Sequence, residues 1–414
     1  MDLIEIFQDM ASTGQPPLQG CVDLGVGYED AFQRLEHTYM SGFFKRGKSA
    51  EKFVVGPYGS GKTHFLRQTL EIARKNNCAS AEVQLSRNID IAKILIVYKE
   101  VAREIAVPGQ KRKGIEGLLK AYYDNVLLQD NAPEISDEFV RSAIAALEDV
   151  AFEHDEFRRV LIRTLKAIVR GEKDIIDAGC QWLSGEVADK DVAKVLKIST
   201  ITATEQDAFG RRAMFSLCQF IKAAGYNGTV IGFDEAEQAA NVPAKQLNKI
   251  LSMARSEIDA ITRLQGGAVL IFYAFTPDVI QEMQRYPALQ QRLAEPDPNR
   301  RFFDGNDYSP QIDLAQPFQV NNSKSLIILQ RIGERLVNLI FETYQVEMQA
   351  FDKNQILKAS HDWADEIDAR NASISNRRDM VRLTCSRLLH MYHTGSLEEF
   401  AEPPELSHAG DEEV

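Results

Sequence analysis

The sequence has 414 residues, more than one small hydrophobic core needs, and this length predicts two or three packed units. Its 44% hydrophobic and 26% charged residues are typical of a soluble globular protein, and the formal net charge of −12 argues against a generic nucleic-acid coat protein. The five cysteines form no C-x-x-C pair, which argues against a disulfide framework or a zinc site.

The first half of the chain begins with a short amphipathic segment, Leu3–Met10, and continues with strands and helices in alternation. The strands are predicted at Lys52–Val55 and Ala81–Leu85, and the helices at Glu29–Met40, Lys62–Arg74 and Ile89–Ile105. The next part has no convincing strand and reads as four amphipathic helices, at Gly114–Asn125, Ser136–Val150, Glu153–Val169 and Lys173–Leu183.

The alternation then resumes, which predicts a parallel sheet covered by helices on both faces. The predicted strands are Thr229–Phe233 and Ala268–Phe275, and the predicted helices are Ala208–Ala223, Pro243–Ile261 and Tyr286–Leu293. Beyond Pro317 the pattern is helical again, and a last helix is expected at Arg378–Tyr392.

Both ends of the sequence are acidic. The N-terminus has Asp2, Glu5 and Asp9 in place of the basic residues of a secretory signal, and the longest apolar run is far shorter than the ~20 residues that cross a bilayer. We therefore expect a cytoplasmic protein with no membrane partner. Residues 396–414 carry seven acidic residues and no Lys or Arg, which predicts a disordered acidic tail. Without those seven charges the net charge of −12 becomes −5, so a local basic face for DNA remains open.

The sharpest motif is the sequence GPYGSGKT at Gly56–Thr63, which matches G-x-x-x-x-G-K-[ST] at every position. It follows the strand Phe53–Val55 and precedes a helix, so its backbone N–H groups and the helix N-terminus can surround phosphate oxygens. The motif predicts an ATP site with Mg²⁺, in which Lys62 reaches the β- and γ-phosphates and the Thr63 hydroxyl ligates the metal. The residues expected to line the nucleotide are Gly56, Pro57, Tyr58, Gly59, Ser60, Gly61, Lys62, Thr63 and His64.

An acidic pair follows the apolar strand Val230–Phe233. A carboxylate at the carboxyl end of a sheet strand can hold the Mg²⁺ shell, and this is the role expected of Asp234. The next residue, Glu235, is expected to orient and deprotonate the attacking water. Glu237 either faces the same site or is an ordinary acid at a helix N-terminus.

The strand Ala268–Phe275 ends in Thr276-Pro277. A polar side chain there would lie near the γ-phosphate and report hydrolysis, while Thr followed by Pro is also a good helix start. Both interpretations of Thr276 stay open. The Asn248-Lys249 pair lacks the rest of a guanine-binding N-K-x-D motif, so ATP is preferred over GTP.

Several basic residues are candidates for contact with anions. Arginines that could reach the γ-phosphate, within the subunit or from a neighbour, are Arg292, Arg300, Arg301, Arg377 and Arg378, with Arg378 favoured because it opens a helix. The basic loop Lys111-Arg112-Lys113 could touch DNA or be a solvated linker.

Lys62 and Asp234 lie 172 residues apart, so a helical insertion must separate the strands that carry them. This layout resembles AAA+ ATPases near the initiator and STAND types, and more specifically the ATP-binding protein family of BREX phage-defence systems. The resemblance covers roughly residues 25–395, and its motifs are Val55–Leu66, Trp182–Glu186, Ala224–Gly228, Phe233–Glu237, Thr276-Pro277 and Tyr286–Leu293.

The resemblance implies an α/β P-loop NTPase of AAA+-like fold, with a parallel sheet covered by helices, a helical insertion and a helical C-terminal lid. The implied organisation is an N-terminal segment (1–24), a first core part (25–106), the insertion (107–202), a second core part (203–317), the lid (318–395) and the tail (396–414). Thr276 matches the sensor 1 position and Arg378 the sensor 2 arginine, although Asn376-Arg377-Arg378 lacks the proline usual at the start of that lid helix.

The implied function is an ATPase that couples nucleotide state to conformational change in an antiviral complex, beside a helicase or nuclease. Assembly into a homo-oligomer and binding of DNA are left open. One alternative is a nucleotide-gated scaffold that hydrolyses little ATP. Another is a DNA-binding initiator or STAND-like ATPase outside defence. A small-molecule kinase is disfavoured, because phosphoryl transfer to a metabolite needs neither the long insertion nor the lid.

Overall fold

The computed structural model describes residues 2–85, 93–127, 137–236, 255–318, 323–370 and 376–396. The chain divides into a larger compact unit, Leu18–Lys324, and a smaller one made of Met1–Pro17 and Ser325–Val414. The predicted acidic tail lies outside the described residues apart from Ser396, and so do Glu237, Asn248 and Lys249. No helix in the described part is long and apolar enough to span a membrane.

Sixteen α-helices can be given bounds among the described residues. Those before the second half of the sheet are α1 (Leu3–Thr13), α2 (Cys21–Leu24), α3 (Glu29–Leu35), α4 (Lys62–Lys75), α5 (Ile94–Glu104), α6 (Gly114–Tyr122), α7 (Asp137–Ala146), α8 (Asp155–Arg170), α9 (Lys173–Leu183), α10 (Lys190–Leu196) and α11 (Gln206–Ala223). The later ones are α12 (Pro277–Gln284), α13 (Pro287–Leu293), α14 (Ser323–Thr343), α15 (Lys353–Arg370) and α16 (Asn376–Thr394). Residues 255–263 are also helical, within the predicted helix Pro243–Ile261, whose first part lies outside the described residues.

The larger unit is an α/β structure around one five-stranded parallel sheet. Its strands are β1 (Ala50–Val55), β2 (Ala79–Gln84), β3 (Thr229–Asp234), β4 (Val269–Phe275) and β5 (Gln311–Asp313), in the order β2-β3-β4-β1-β5. Every strand pair is parallel, which confirms the predicted parallel α/β sheet. The sequence pattern missed β5, because three residues are too few to show a period.

Side chains of the strands alternate between two hydrophobic clusters, one on each face of the sheet. In β1, Val54 packs with Phe65 and Leu66 of α4, whereas Phe53 and Val55 belong to the cluster on the other face. Because both faces are covered, the central strands β3 and β4 have mostly apolar sequences with no polar alternation.

The helices between β2 and β3 share a core with the sheet. Trp182 of α9 is fully buried and packs edge-on against Phe209 of α11, with ring centroids 5.1 Å apart. Both side chains belong to the same hydrophobic cluster as Ile231 and Phe233 of β3. These helices are therefore continuous with the sheet in packing.

A buried lysine holds the segment that precedes β5. The Lys52 ammonium of β1 is 1% exposed, donates to the carbonyls of Asp307 (2.7 Å) and Ser309, and lies 4.8 Å from the ring centroid of Tyr39. Burial lowers the pKa of Lys52 to about 7, although the nearby Glu295 and Asp307 carboxylates favour its charged form.

The smaller unit is helical in its described residues and includes α1, α15, α16 and most of α14. Leu329 of α14, Ile367 of α15 and Met380 of α16 share a buried cluster, and α1 packs along α16. Helix α1 ends at Gly14 with φ +64°, where an added Cβ would lie 2.4 Å from Cγ of Arg378. Gly14 therefore permits both the left-handed helix end and the close approach of α16.

Candidate functional site

The carboxyl ends of four strands meet along one edge of the sheet. Val55, the last residue of β1, lies beside Phe275 of β4 on one side and Asp313 of β5 on the other. The Gly56 N–H donates to the Phe275 carbonyl at 3.1 Å, and β3 ends beside β4 at Asp234. The glycine loop, defined as Gly56–Thr63, therefore begins at this edge between the ends of β4 and β5, with β4 separating it from the end of β3.

The conformation of the glycine loop depends on its glycines. Gly59 and Gly61 have φ values of +77° and +91°, in the left-handed region that other L-residues rarely adopt. A Cβ on Gly56 would lie 2.3 Å from the Ser60 Oγ, because the loop folds back on itself and the Ser60 N–H donates to the Pro57 carbonyl at 3.2 Å. The loop is thus a compact backbone cradle that leads into α4.

Lys62, the first residue of α4, is only 7% exposed. Its ammonium donates to the carbonyls of Gly56 (2.9 Å) and Pro57 (3.3 Å) and lies 5.2 Å from the ring centroid of the exposed Tyr58. A cation is therefore held inside the cradle at the N-terminus of a helix, where anions are favoured. His64 follows in the first turn of α4 and is half-buried.

The second element of the site is a hydrogen bond between two residues that are far apart in the chain. The Thr63 hydroxyl donates to Oδ2 of Asp234 at 2.6 Å, and Oδ1 of Asp234 accepts the Glu235 N–H at 3.0 Å. Asp234 is 3% exposed. Two hard oxygen donors thus meet beside the glycine loop, and this donor set suits Mg²⁺, which typically takes one or two protein ligands together with phosphate oxygens and water. No group of three or more His, Cys, Asp or Glu side chains within the described ranges could hold a metal ion by itself.

Glu235 has an unusual backbone conformation for a non-glycine residue. Its φ is +54°, and such a residue costs on the order of 1–3 kcal/mol unless its surroundings fix it. The hydrogen bond to Asp234 on one side and the fully buried Ala236 on the other fix it here. The backbone therefore turns sharply where β3 ends, at the residue expected to act on water.

Thr276 follows β4 at the same edge and is 8% exposed. It occupies the N-cap position of α12 with extended backbone, Pro277 is the first helical residue, and the Thr276 carbonyl accepts the Ile280 N–H at 3.4 Å. The Thr276 side chain makes no capping hydrogen bond. Thr276 therefore occupies the helix start that the cap interpretation predicts. Its hydroxyl makes no capping hydrogen bond, so the sensor interpretation stays a prediction.

The expected arginines are placed in different surroundings. Arg292 of α13 forms a two-pronged ion pair with Asp259, at 2.8 and 2.7 Å, and its pKa is raised mainly by this hydrogen bonding. Arg300 donates to the Asp304 carbonyl at 3.2 and 3.0 Å. Arg378 belongs to the smaller unit, where it lies against Gly14. The roles of Arg292 and Arg378 at a γ-phosphate stay predictions.

Two residues near the start of the loop, Tyr28 and Leu314, were not predicted from any sequence pattern. The Leu314 N–H donates to the Val55 carbonyl at 2.8 Å, and its side chain is close to Gly56. The Tyr28 hydroxyl in turn donates to the Leu314 carbonyl at 3.2 Å across 286 residues of chain. Neither residue belongs to a local motif, so only the folded sheet brings them here.

The fold and site define an α/β protein with a compact glycine-rich loop and two adjacent side-chain oxygens, of Thr63 and Asp234, at the carboxyl edge of a parallel sheet. The family described as "BREX system ATP-binding protein BrxC/D" matches residues 4–393, nearly the whole chain, and the chain belongs to this family. No curated protein and no solved structure matches the chain significantly. Membership confirms the resemblance noted from the motifs, makes ATP the ligand and implies partner proteins of a BREX defence system.

Proposed function

We propose that this protein is a P-loop ATPase of AAA+-like fold that hydrolyses ATP with Mg²⁺ and couples its nucleotide state to conformational change in an anti-phage defence complex. The observation that carries the proposal is the 2.6 Å hydrogen bond between Thr63 and Asp234. This bond brings the end of the glycine loop next to the end of β3. A metal bound with the nucleotide would need the Thr63 hydroxyl and the Asp234 carboxylate at that place. Glu235 follows directly in sequence.

Each residue has a distinct task in the proposed reaction. Lys62 exchanges its bonds with the Gly56 and Pro57 carbonyls for the β- and γ-phosphate oxygens, so its charge is already in place before ATP enters. Thr63 and Asp234 hold the Mg²⁺, which neutralises phosphate charge when it is bound. Glu235 accepts a proton from the attacking water as it approaches the γ-phosphorus.

The sensing roles also belong to this proposal. Thr276 contacts the γ-phosphate or the attacking water through its hydroxyl, while its backbone starts α12. Arg292 can act as a finger only when its ion pair with Asp259 opens, whereas Arg378 would act from the smaller unit as a lid residue. The implied six-part organisation, a helicase or nuclease partner and assembly into a homo-oligomer remain parts of the same proposal.

Substitution of the proposed base tests the assignment. Glu235→Gln keeps the size and hydrogen-bonding capacity of the side chain and removes the base, so we expect ATP turnover to fall by about 10²-fold or more. Binding of a fluorescent ATP analogue should stay within a few fold of wild type. The matched control is Glu282→Gln in α12, whose side chain is 43% exposed and pairs with Arg285. Unchanged turnover in Glu235→Gln would overturn the catalytic role.

A nucleotide-gated scaffold with little hydrolysis is the second candidate, and the left-handed backbone of Glu235 is the observation that favours it. A strained residue can hold its carboxylate away from the reacting water until a partner relaxes it. Turnover measured alone, with the other BREX proteins and with DNA separates the two candidates. Negligible turnover in all three conditions, with ATP still bound, would favour the scaffold.

A further inference from the structure

Helix α8 carries a row of cations along one face. Arg159, Arg163, Lys166 and Arg170 follow one another at spacings of four, three and four residues, which is the repeat of one side of a helix. The opposite side is buried through residues such as Val160 and Leu161. The amphipathic pattern therefore fixes α8 in the core and presents its cations outward.

These cations line a groove with a cavity volume of about 530 Å³ between α8, the start of α9 and the end of α7. Arg158 lines it too, whereas its two acidic lining residues are Glu148 and Glu172. The lining has five cations and two carboxylates, and two further carboxylates, Asp155 and Glu156, pair with Arg158 and Arg159, which leaves a small positive excess in a chain whose net charge is −12. Such a local excess of arginine needs an explanation beyond solubility.

Three of the cations are available to a ligand. The side chains of Arg159 and Arg170 are 69% and 67% exposed, and Lys166 is exposed as well. Their surface ion pairs, Arg159 with Glu156 at 3.3 Å and Arg170 with Glu172 at 3.8 Å, are of a kind worth at most about 1 kcal/mol and exchange readily. Arg163 has a different task, because it donates to the carbonyls of Val195 and Leu196 at the end of α10.

We propose that this groove binds the phosphate backbone of double-stranded DNA. The row from Arg159 to Arg170 is about 16 Å long, which matches the axial rise of about five base pairs along one strand. Arginine binds phosphate oxygens with two parallel hydrogen bonds, so Arg159 and Arg170 can each hold a backbone phosphate, with Lys166 between them as a further positive charge.

Single strands and nucleotides fit the groove less well. Its described lining has no aromatic ring on which a base could stack, whereas single-strand sites usually combine cations with aromatic side chains. Contacts to the backbone alone predict binding with no base preference and a strong dependence on salt. This surface is separate from the nucleotide site, so the inference goes beyond the proposed function.

The test is fluorescence anisotropy of the full chain with a labelled 20-base-pair duplex of random sequence, from 50 to 200 mM salt. The groove variant is Arg159→Gln/Lys166→Gln/Arg170→Gln, because Gln has a helix propensity close to that of Lys and Arg. Three lost phosphate contacts reduce the slope of log K against log salt by about 2.7, and we expect at least about tenfold weaker binding at 50 mM.

The matched control removes three exposed cations that also pair with carboxylates elsewhere, Lys75→Gln/Arg103→Gln/Arg285→Gln. Wild-type affinity and slope in the control, with a loss in the groove variant, support the proposal. Equal effects in both variants, or no binding by wild type at 50 mM, overturn it. Tighter binding of single-stranded DNA, an RNA duplex or polyglutamate through the same cations would overturn the assignment to duplex DNA. ATP-analogue binding by the groove variant should match wild type, which shows that the fold is intact.

Discussion

Removal of the Thr63 hydroxyl should destabilise the larger unit even without nucleotide. Thr63→Val keeps the shape of the side chain and removes the donor that Oδ2 of Asp234 accepts at 2.6 Å. Asp234 is 3% exposed, so its carboxylate cannot recover that bond fully from water. A hydrogen bond to a charged group contributes about 1.5–3 kcal/mol, and we expect the free energy of unfolding to fall by about 2 kcal/mol.

Urea unfolding followed by tryptophan fluorescence measures this change. The protein has two tryptophans, and Trp363→Phe leaves only Trp182, which is fully buried in the larger unit. With an m-value of about 3 kcal/mol/M, a loss of 2 kcal/mol lowers the midpoint by about 0.7 M. Thr63→Ser keeps the hydroxyl, so it should cost less than about 1 kcal/mol for its lost methyl.

A double-mutant cycle decides whether the hydrogen bond itself is responsible. Thr63→Val and Asp234→Ala should be non-additive by at least about 1 kcal/mol, because each removes one partner of the same hydrogen bond. Additive effects would refute the reasoning. So would a Thr63→Ser variant as unstable as Thr63→Val, because the methyl would then account for the loss.

Three further variants test other parts of the structure. Gly61→Ala forces a Cβ onto a backbone at φ +91°, so we expect a loss of about 1–3 kcal/mol in urea unfolding, and a loss below about 0.5 kcal/mol would contradict the left-handed assignment. Lys52→Met should remove a pH dependence: between the folded pKa of about 7 and the ordinary 10.5, the unfolded chain binds a proton that the folded chain does not. Wild-type stability should therefore rise relative to the variant by about 1.4 kcal/mol per pH unit in that window, and parallel pH profiles would contradict it. Arg292→Lys loses the two-pronged ion pair with Asp259. If Arg292 has only a structural role, Arg292→Lys and Asp259→Asn should change ATP turnover equally. A loss of turnover in Arg292→Lys alone would support a role as an arginine finger.

Much of the sheet could be predicted because most of its strands have a recognisable local sequence pattern. The strand β4 is a continuous apolar run bounded by glycines and by Thr276-Pro277, and the prediction missed its start by one residue. The strand β5 was missed because Gln311–Asp313 has no pattern of its own and pairs with β1 only in the folded sheet. Helix α10, which spans only seven residues, was missed as well, whereas α15 lies in the part beyond Pro317 that was predicted to be helical without bounds for this helix.

The site was predictable to the extent that motifs are contiguous. The glycine loop is recognisable from its own residues, since left-handed backbone at Gly59 and Gly61 demands glycine. That Thr63 and Asp234 share a hydrogen bond depends on β1 and β3 ending at one edge with β4 between them, which no local pattern encodes. The positive φ of Glu235 is likewise a property of the buried turn around it.

The helices between β2 and β3 connect the nucleotide site to the basic groove through buried contacts, so a nucleotide-driven change could be transmitted through them. Helix α8 packs on α9, and Trp182 of α9 shares a hydrophobic cluster with Phe233 of β3, the residue before Asp234. Closely packed cores move as discrete arrangements rather than deform gradually, so a shift at the end of β3 has a continuous path of buried contacts towards α8. A contiguous path alone does not establish coupling, because coupling requires two conformational states whose populations both ligands change. If the two sites are coupled, ATP must change the affinity for duplex DNA by the same factor by which DNA changes the affinity for ATP. In the Glu235→Gln variant, which should retain ATP, both factors can be measured at equilibrium, and a factor of one in both measurements would exclude coupling between the two sites.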